Sequence, residues 1–349
     1  MKHYNIPIFI NHYGCPNSCV FCNQKKINGV ETDMTVPEIH NIINTNLATI
    51  PKDGIKEVAF FGGTFTGLSL KLQELYLETI QKYIENGDID GIRISTRPDC
   101  INDEILAMLK KYNVKLIELG IQSLDEMVLK KTGRNYTEEI VWNTVNLIKN
   151  YSINLGVQMM IGLPGSDFDS DYETCKKLTS MKPDVARIYP TLVINNTELE
   201  NMYKSLEYIP LTLEKSIEIS KKIYSFFQIN GINVIRVGLQ PSEDLRRDGI
   251  IVDGPFHPAF RDLVLNEIYF DFLHYIYNKA QKLYIITHEK NISSIVGNKG
   301  KNKDYFKNNF RIIKDNSLSV DDFVINDERY NKNEIYRFQV DRPRWSEII

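Results

Sequence analysis

Long apolar runs are missing from this sequence. The longest are strand-sized, well short of the ~20 residues that a membrane-spanning helix requires. An apolar signal region with a small-residue cleavage site is missing too, since Met1-Lys2-His3-Tyr4 leads directly into a strand. Charge of one sign is not in excess: the net charge is -3 over 349 residues. That balance exerts no global pull on nucleic acid or anionic membrane, so any polyanion site must be a local patch. Cysteine is scarce, with five residues, and fits a reducing cytoplasm. The length allows one large domain plus a smaller one, with ample chain to bury a core.

Three of the five cysteines stand together, in Gly14-Cys15-Pro16-Asn17-Ser18-Cys19-Val20-Phe21-Cys22. The spacing is C-x3-C-x2-C, just after the apolar stretch Ile6–Ile10, and no fourth cysteine is near. A 4Fe–4S cubane normally takes four thiolates; three would hold three irons and leave the fourth open to an outside ligand. Zinc on these cysteines plus His12 or His3 is one alternative, and unligated thiols are another. Structural zinc sites usually close a tetrahedron from paired knuckles, so a thiolate set one ligand short suits iron–sulfur better. Cys100 and Cys175 read as buried small apolar groups. The motif, including the aromatic Phe21 before the last cysteine, resembles the radical S-adenosylmethionine superfamily. The resemblance implies a cluster whose open iron is chelated by the amino and carboxylate groups of S-adenosylmethionine.

Up to about residue 240, apolar strand-like runs alternate with amphipathic helical stretches, the pattern of a parallel sheet with crossover helices. Strands are expected at 6–10, 57–61, 91–95, 116–121, 155–161, 185–189 and 234–237. Helices are expected near 36–49, 69–86, 102–112, 137–150, 169–181 and 212–228. Thr35 with Glu38 reads as a capping box. The strands look nearly continuously hydrophobic, as when both faces are covered. The fold class is therefore α/β: a partial (β/α)6 barrel over residues 1–240, a linker or lid at 241–262 and a small α+β C-terminal domain at 263–349. Ligands of such a barrel gather at the carboxyl ends of the strands. Turn-rich segments stand there: Gly62-Gly63-Thr64-Phe65-Thr66-Gly67, Ser95-Thr96-Arg97-Pro98-Asp99, Gly120-Ile121-Gln122-Ser123 with Gly133-Arg134-Asn135-Tyr136, and Gly162-Leu163-Pro164-Gly165. Each alone is an ordinary turn signal; together on one rim beside the cysteines they mark a site.

These segments are similar to those of the Elongator catalytic subunit and the oxygen-independent coproporphyrinogen oxidases. The similarity covers about residues 4–240. It implies that Gly62 and Gly63 let the backbone approach the methionine moiety, with Thr64 bonding alongside. It implies that Ser95, Gln122 and Gln158 contact the cofactor, Ser95 and Gln158 standing where relatives carry carboxylates. Arg134 is matched to the cofactor carboxylate, which suits a planar guanidinium. The implied chemistry is reductive cleavage of S-adenosylmethionine to a 5′-deoxyadenosyl radical, with flavodoxin or ferredoxin as electron donor. Tyr189, Arg187, Arg236 and Gln240 fall at strand ends, where an acid, base or radical-quenching group would stand, and Tyr189 is a candidate catalytic residue. His257, in Gly254-Pro255-Phe256-His257-Pro258, either acts on substrate from a closing loop or is a structural histidine.

Beyond a helix near 262–281, the order is strand 283–287, helix 292–296, turn Gly297-Asn298-Lys299-Gly300, helix 301–310 and strand 311–313. A G-x-x-G turn between helices is reminiscent of the KH module, whose loop clamps a nucleic-acid backbone. Lys290, Lys299, Lys301, Lys303, Lys307, Arg311 and Lys314 concentrate there, making Lys299 and Lys301 candidate RNA contacts; the plain alternative is a small cap with a solvated basic face. The stretch from Arg187 to Leu199 also resembles the Elongator subunit, which implies modification of the wobble uridine of tRNA. Two departures stand out: the chain leaves no room for Elongator's acetyltransferase domain, and the first two cysteines are closer together. A radical enzyme on a small or tetrapyrrole-like substrate, and a non-catalytic iron–sulfur electron-transfer or scaffold protein, are the competing readings.

Overall fold

Apolar residues recur with period two along seven strands, and that periodicity builds the barrel. In the computed structural model, which describes residues 2–10, 15, 19–23, 34–239 and 249–342, they are β1 (His3–Phe9), β2 (Ile55–Phe61), β3 (Gly91–Thr96), β4 (Val114–Gln122), β5 (Asn154–Ile161), β6 (Val185–Pro190) and, after the short β7 (Val193–Ile194), β8 (Asn233–Val237). They form one sheet in the order β1-β2-β3-β4-β5-β6-β8, with every neighbouring pair parallel. The end strands β1 and β8 do not pair, so the barrel is partial. Ile6, Ile8, Val58, Phe60, Ile92, Ile94, Ile117, Leu119, Leu155, Val157 and Ile188 are all buried. Successive side chains alternate between faces, so these residues share the outer one.

Crossover helices cover that outer face: α1 (Val36–Leu47), α2 (Leu70–Glu85), α3 (Asp103–Lys111), the short α4 (Glu126–Lys131), α5 (Glu138–Asn150), α6 (Phe168–Ser180) and, after the short α7 (Glu198–Lys204), which packs elsewhere, α8 (Leu213–Ile229). Their stripes, such as Ile39 and Ile43, Leu77 and Ile80, or Val141 and Val145, join the strand residues in one core. The capping box opens α1, with the Thr35 amide donating to Glu38 at 2.7 Å. The expectation of near-continuous apolar strands is corrected. The inner face carries Glu57, Arg93, Ser95, Glu118, Gln158, Arg187 and Tyr189.

The C-terminal part holds the strand β9 (Ile251–Asp253), the long α9 (Phe260–Ala280), and the segment β10 (Leu283–Thr287), α10 (Glu289–Val296), α11 (Lys301–Phe306), β11 (Phe310–Lys314), β12 (Asp322–Ile325), β13 (Glu328–Asn331) and α12 (Lys332–Asp341). The second helix of the G-x-x-G unit ends at Phe306 rather than 310, because Lys307 takes φ 49°. Its strands pair in the order β11-β10-β12-β13. Both parts share a single apolar core that runs from Ile6 to Tyr336. A buried ion cluster fastens α8 to α9, with Lys221 Nζ 2.7 Å from Asp271 and Arg342 Nη1 2.8 Å from the same carboxylate. No helix among the described residues is long and apolar enough to cross a membrane.

Candidate active site

The cysteine loop is stitched by its backbone to the carboxyl edge of the sheet. The Val20 amide donates to Thr132 O at 3.2 Å, Val20 O accepts from Leu199 N at 2.8 Å, and Cys22 N closes a turn onto Cys19 O at 3.0 Å. Phe21 and Val20 pack on buried Val193, Leu199 and Tyr208, which gives the aromatic residue of the motif an anchoring role. His12 and Gln240 lie outside the described residues, as does the stretch 240–248 of the expected lid.

The Cys15 and Cys19 sulfurs meet residues of the strand-end loops. Cys15 Sγ lies 3.2 Å from the hydroxyl of Thr64, which is 1% exposed and follows Gly62, held at φ 89°. Cys19 Sγ accepts from two guanidinium groups, Arg134 Nη1 at 3.1 Å and Arg97 Nη1 at 3.8 Å. Arg134 also donates from Nε to Tyr136 OH at 2.8 Å and from Nη2 to Gly120 O. Burial opposes its charge, but Tyr136 and Cys19 more than offset this and hold its pKa above the ordinary arginine value. Arg97 is clamped by Asp99 through Nε at 2.9 Å and Nη2 at 2.8 Å. Both guanidiniums stand over the Tyr136 ring, at 5.4 and 5.1 Å, and Tyr136 OH donates to Ile121 O at 2.5 Å. Cys175 is fully buried as expected; Cys100 is only half-buried, and burial beside Asp99 pushes its thiol up to about 11.

The inner face of the barrel below this rim is a ladder of buried charge. Arg93 links Glu57 at 3.5 Å and Glu118 at 2.9 Å. Arg187 meets the same Glu118 carboxylate through Nη2 at 2.9 Å, donates to Tyr189 OH at 3.1 Å and lies over the Phe61 ring. Gly156 leaves the space that Glu118 crosses, since a Cβ there would stand 2.9 Å from Glu118 Cγ.

Gln122 ends β4 at φ 69°, where the β4–β5 register slips. Its Oε1 is buried and has no hydrogen-bond partner among the described residues. A buried acceptor without a donor is expensive. Ser95 and Gln158 face the same interior, Ser95 in register with Glu118 and Gln158 with Arg187. Tyr189 is tied to Arg187, as above. His257 Nδ1 accepts from the Ala259 amide at 3.1 Å, and its carbonyl accepts from Phe260 N; these bonds open α9 and give the histidine a structural task. Lys299 sits at φ 52° in the turn, and Lys301 is paired with Glu267 over the Phe270 ring. Gly297 is needed by packing, because a Cβ there would meet Asn302 at 2.9 Å.

Asp171, Glu118, Arg93 and Tyr136 were not singled out by the sequence. Asp171 accepts from Gly162 N at 2.9 Å and fixes the loop after β5. Burial pushes its carboxyl up to about 7, with the Gly162 bond offsetting only part of the effect. A polar residue flanked by apolar ones inside a strand, as in Ile117-Glu118-Leu119, was the available signal for the ladder.

The parallel half-barrel with cysteines at its carboxyl edge defines a class. Residues 11–178 match the Radical SAM superfamily and residues 183–269 the Radical_SAM C-terminal domain; the chain belongs to the radical SAM superfamily and is an enzyme. A tRNA uridine(34) acetyltransferase of Methanocaldococcus jannaschii is 31% identical over 183 residues, covering 47% of this chain and 34% of that protein. Elongator complex protein 3 of Saccharomyces cerevisiae is 29% identical over 187 residues, covering 48% of this chain and 34% of that one. An uncharacterized protein of M. jannaschii is 28% identical, covering 63% of this chain and 70% of that one. This chain thus spans about a third of the length of the first two. The archaeal Elp3 of Methanocaldococcus infernus shares the fold, with a TM-score of 0.62 at 23% identity over 76% of this chain and 62% of that one. The resemblance to the superfamily and to Elongator is borne out. The family's cofactors are a 4Fe–4S cluster and S-adenosylmethionine.

Proposed function

We propose that Cys15, Cys19 and Cys22 hold the cluster, that Gly62, Gly63, Thr64, Ser95, Gln122 and Gln158 form the S-adenosylmethionine site with Arg134 beside them, and that the substrate is tRNA modified at its wobble uridine. The orphaned Gln122 Oε1, buried on the rim that carries the cysteine loop, is the observation that carries the site. The chemistry the cluster supplies when bound is one-electron reduction of S-adenosylmethionine to methionine and a 5′-deoxyadenosyl radical, with the electron coming from a flavodoxin or ferredoxin. The chain's own part is positional. Thr64 and Arg134 set two sulfurs, Gln122 offers an acceptor, and the interior ladder of Glu118, Arg93 and Arg187 keeps the barrel walls fixed.

Similarity to tRNA-modifying relatives supports the RNA substrate, as does the basic segment 290–314. Because Lys301 is engaged by Glu267, Lys299 and Lys303 are the better cations to reverse. Lys299→Glu with Lys303→Glu should abolish salt-sensitive tRNA retention and leave the cluster spectrum unaltered. Mass spectrometry of tRNA nucleosides from a deletion strain tests the substrate: loss of one modified wobble uridine supports it, and an unchanged nucleoside profile refutes it.

A further inference from the structure

The rim contains a cation whose place the cofactor site does not explain. Arg97 is 5% exposed and Arg134 4% exposed. Their guanidiniums share one aromatic ring and repel each other. Two buried cations side by side are unfavourable unless anions lie between or beside them. The Asp99 carboxylate is one such anion, and it takes Nε and Nη2 of Arg97. The remaining donor, Nη1, is left aimed at Cys19 Sγ, to which Arg134 also points. Each guanidinium thus directs one N–H donor at the Cys19 sulfur. Segments 78 and 115 residues from Cys19 converge on that single atom.

We propose that Arg97 is a positioning residue for the cluster: with Arg134 it puts two N–H donors and two positive charges on the Cys19 thiolate, and so makes the bound cluster easier to reduce. The inference rests on the cluster reading above. Reduction potentials of such clusters follow local net charge and hydrogen bonds to the sulfurs. Added electron density on the cluster is favoured where cations already face a ligating sulfur. Asp99 keeps Arg97 from swinging away, which is why a fork rather than a point charge suits the place.

The test is a mediated redox titration of the anaerobically reconstituted full chain, followed by electron paramagnetic resonance, on wild type, Arg97→Lys and Arg97→Gln. Iron and sulfide are counted first and folding is checked by circular dichroism, so failure of the cluster reading shows as wild type that holds none. With Arg97→Gln the ratio of reduced to oxidised cluster at fixed potential should fall at least about tenfold, a shift of about 59 mV to more negative potential for one electron. Arg97→Lys, which keeps the charge, should lie between. An Arg97→Gln midpoint equal to wild type overturns the proposal. So does folded protein of both variants that takes up no iron, which would make Arg97 an assembly residue instead.

Discussion

Replacing Gln122 by Met should change the free protein and its complex in opposite directions. Oε1 is buried with no partner among the described residues, and such an atom carries a desolvation penalty of about 1–3 kcal/mol. Met fills a similar volume without the acceptor, and the positive φ at position 122 strains either side chain alike. Gln122→Met should therefore stabilise the protein without S-adenosylmethionine by about 1 kcal/mol or more. If the orphan is satisfied by the cofactor, binding should weaken by about 1–3 kcal/mol, roughly 5- to 150-fold in Kd. Urea unfolding of the cofactor-free protein gives the first quantity and isothermal titration of the anaerobic cluster-loaded protein the second. A variant that loses stability while its Kd stays at the wild-type value would refute the assignment of Gln122 to the site.

Other residues allow sharp tests. Glu118→Ala leaves Arg93 and Arg187 facing each other in the interior, and removing one partner of a buried pair typically costs about 3–5 kcal/mol; an unchanged urea midpoint would contradict the ladder. Asp171 holds its proton to about pH 7 in the fold, against 3.8 for the ordinary group. Its contribution is therefore fully present below about pH 4 and is lost as pH rises to about 7. Asp171→Asn removes that titration, so the variant's stability relative to wild type should climb between pH 4 and 7 and level off above, by up to about 4 kcal/mol. A pH-independent difference would show that Asp171 is already ionised in the fold. Cys19→Ser should abolish iron uptake on reconstitution while the far-ultraviolet circular dichroism stays that of the wild type; full iron content would remove Cys19 from the ligand set.

The strands were legible as short apolar runs and the crossover helices as stripes every three to four residues, whereas the period-two alternation of the strands went unread. Thr35 and Glu38 could be paired from their spacing alone. The inner face was harder, since Arg93, Glu118 and Arg187 read as isolated polar residues in apolar runs and meet only across strands, Glu118 and Arg187 being 69 residues apart. The same holds for Arg97, whose turn Thr96-Arg97-Pro98-Asp99 looks like any other until Cys19 is brought to it. His257 drew attention by the stiffness of its loop, and that stiffness turns out to start a helix. The G-x-x-G turn was visible as a pattern, but its reason, the approach of Asn302 to Gly297, depends on packing that a sequence does not display.

The most direct measurement is electron paramagnetic resonance of the anaerobically reconstituted, reduced chain before and after addition of S-adenosylmethionine, with metal content determined on the same sample. About four irons and four sulfides per chain, a cubane signal whose g-values move on addition, and formation of 5′-deoxyadenosine are the predicted result. Zinc in place of iron, or an iron–sulfur signal indifferent to S-adenosylmethionine, would contradict a cluster held by Cys15, Cys19 and Cys22 with one iron open.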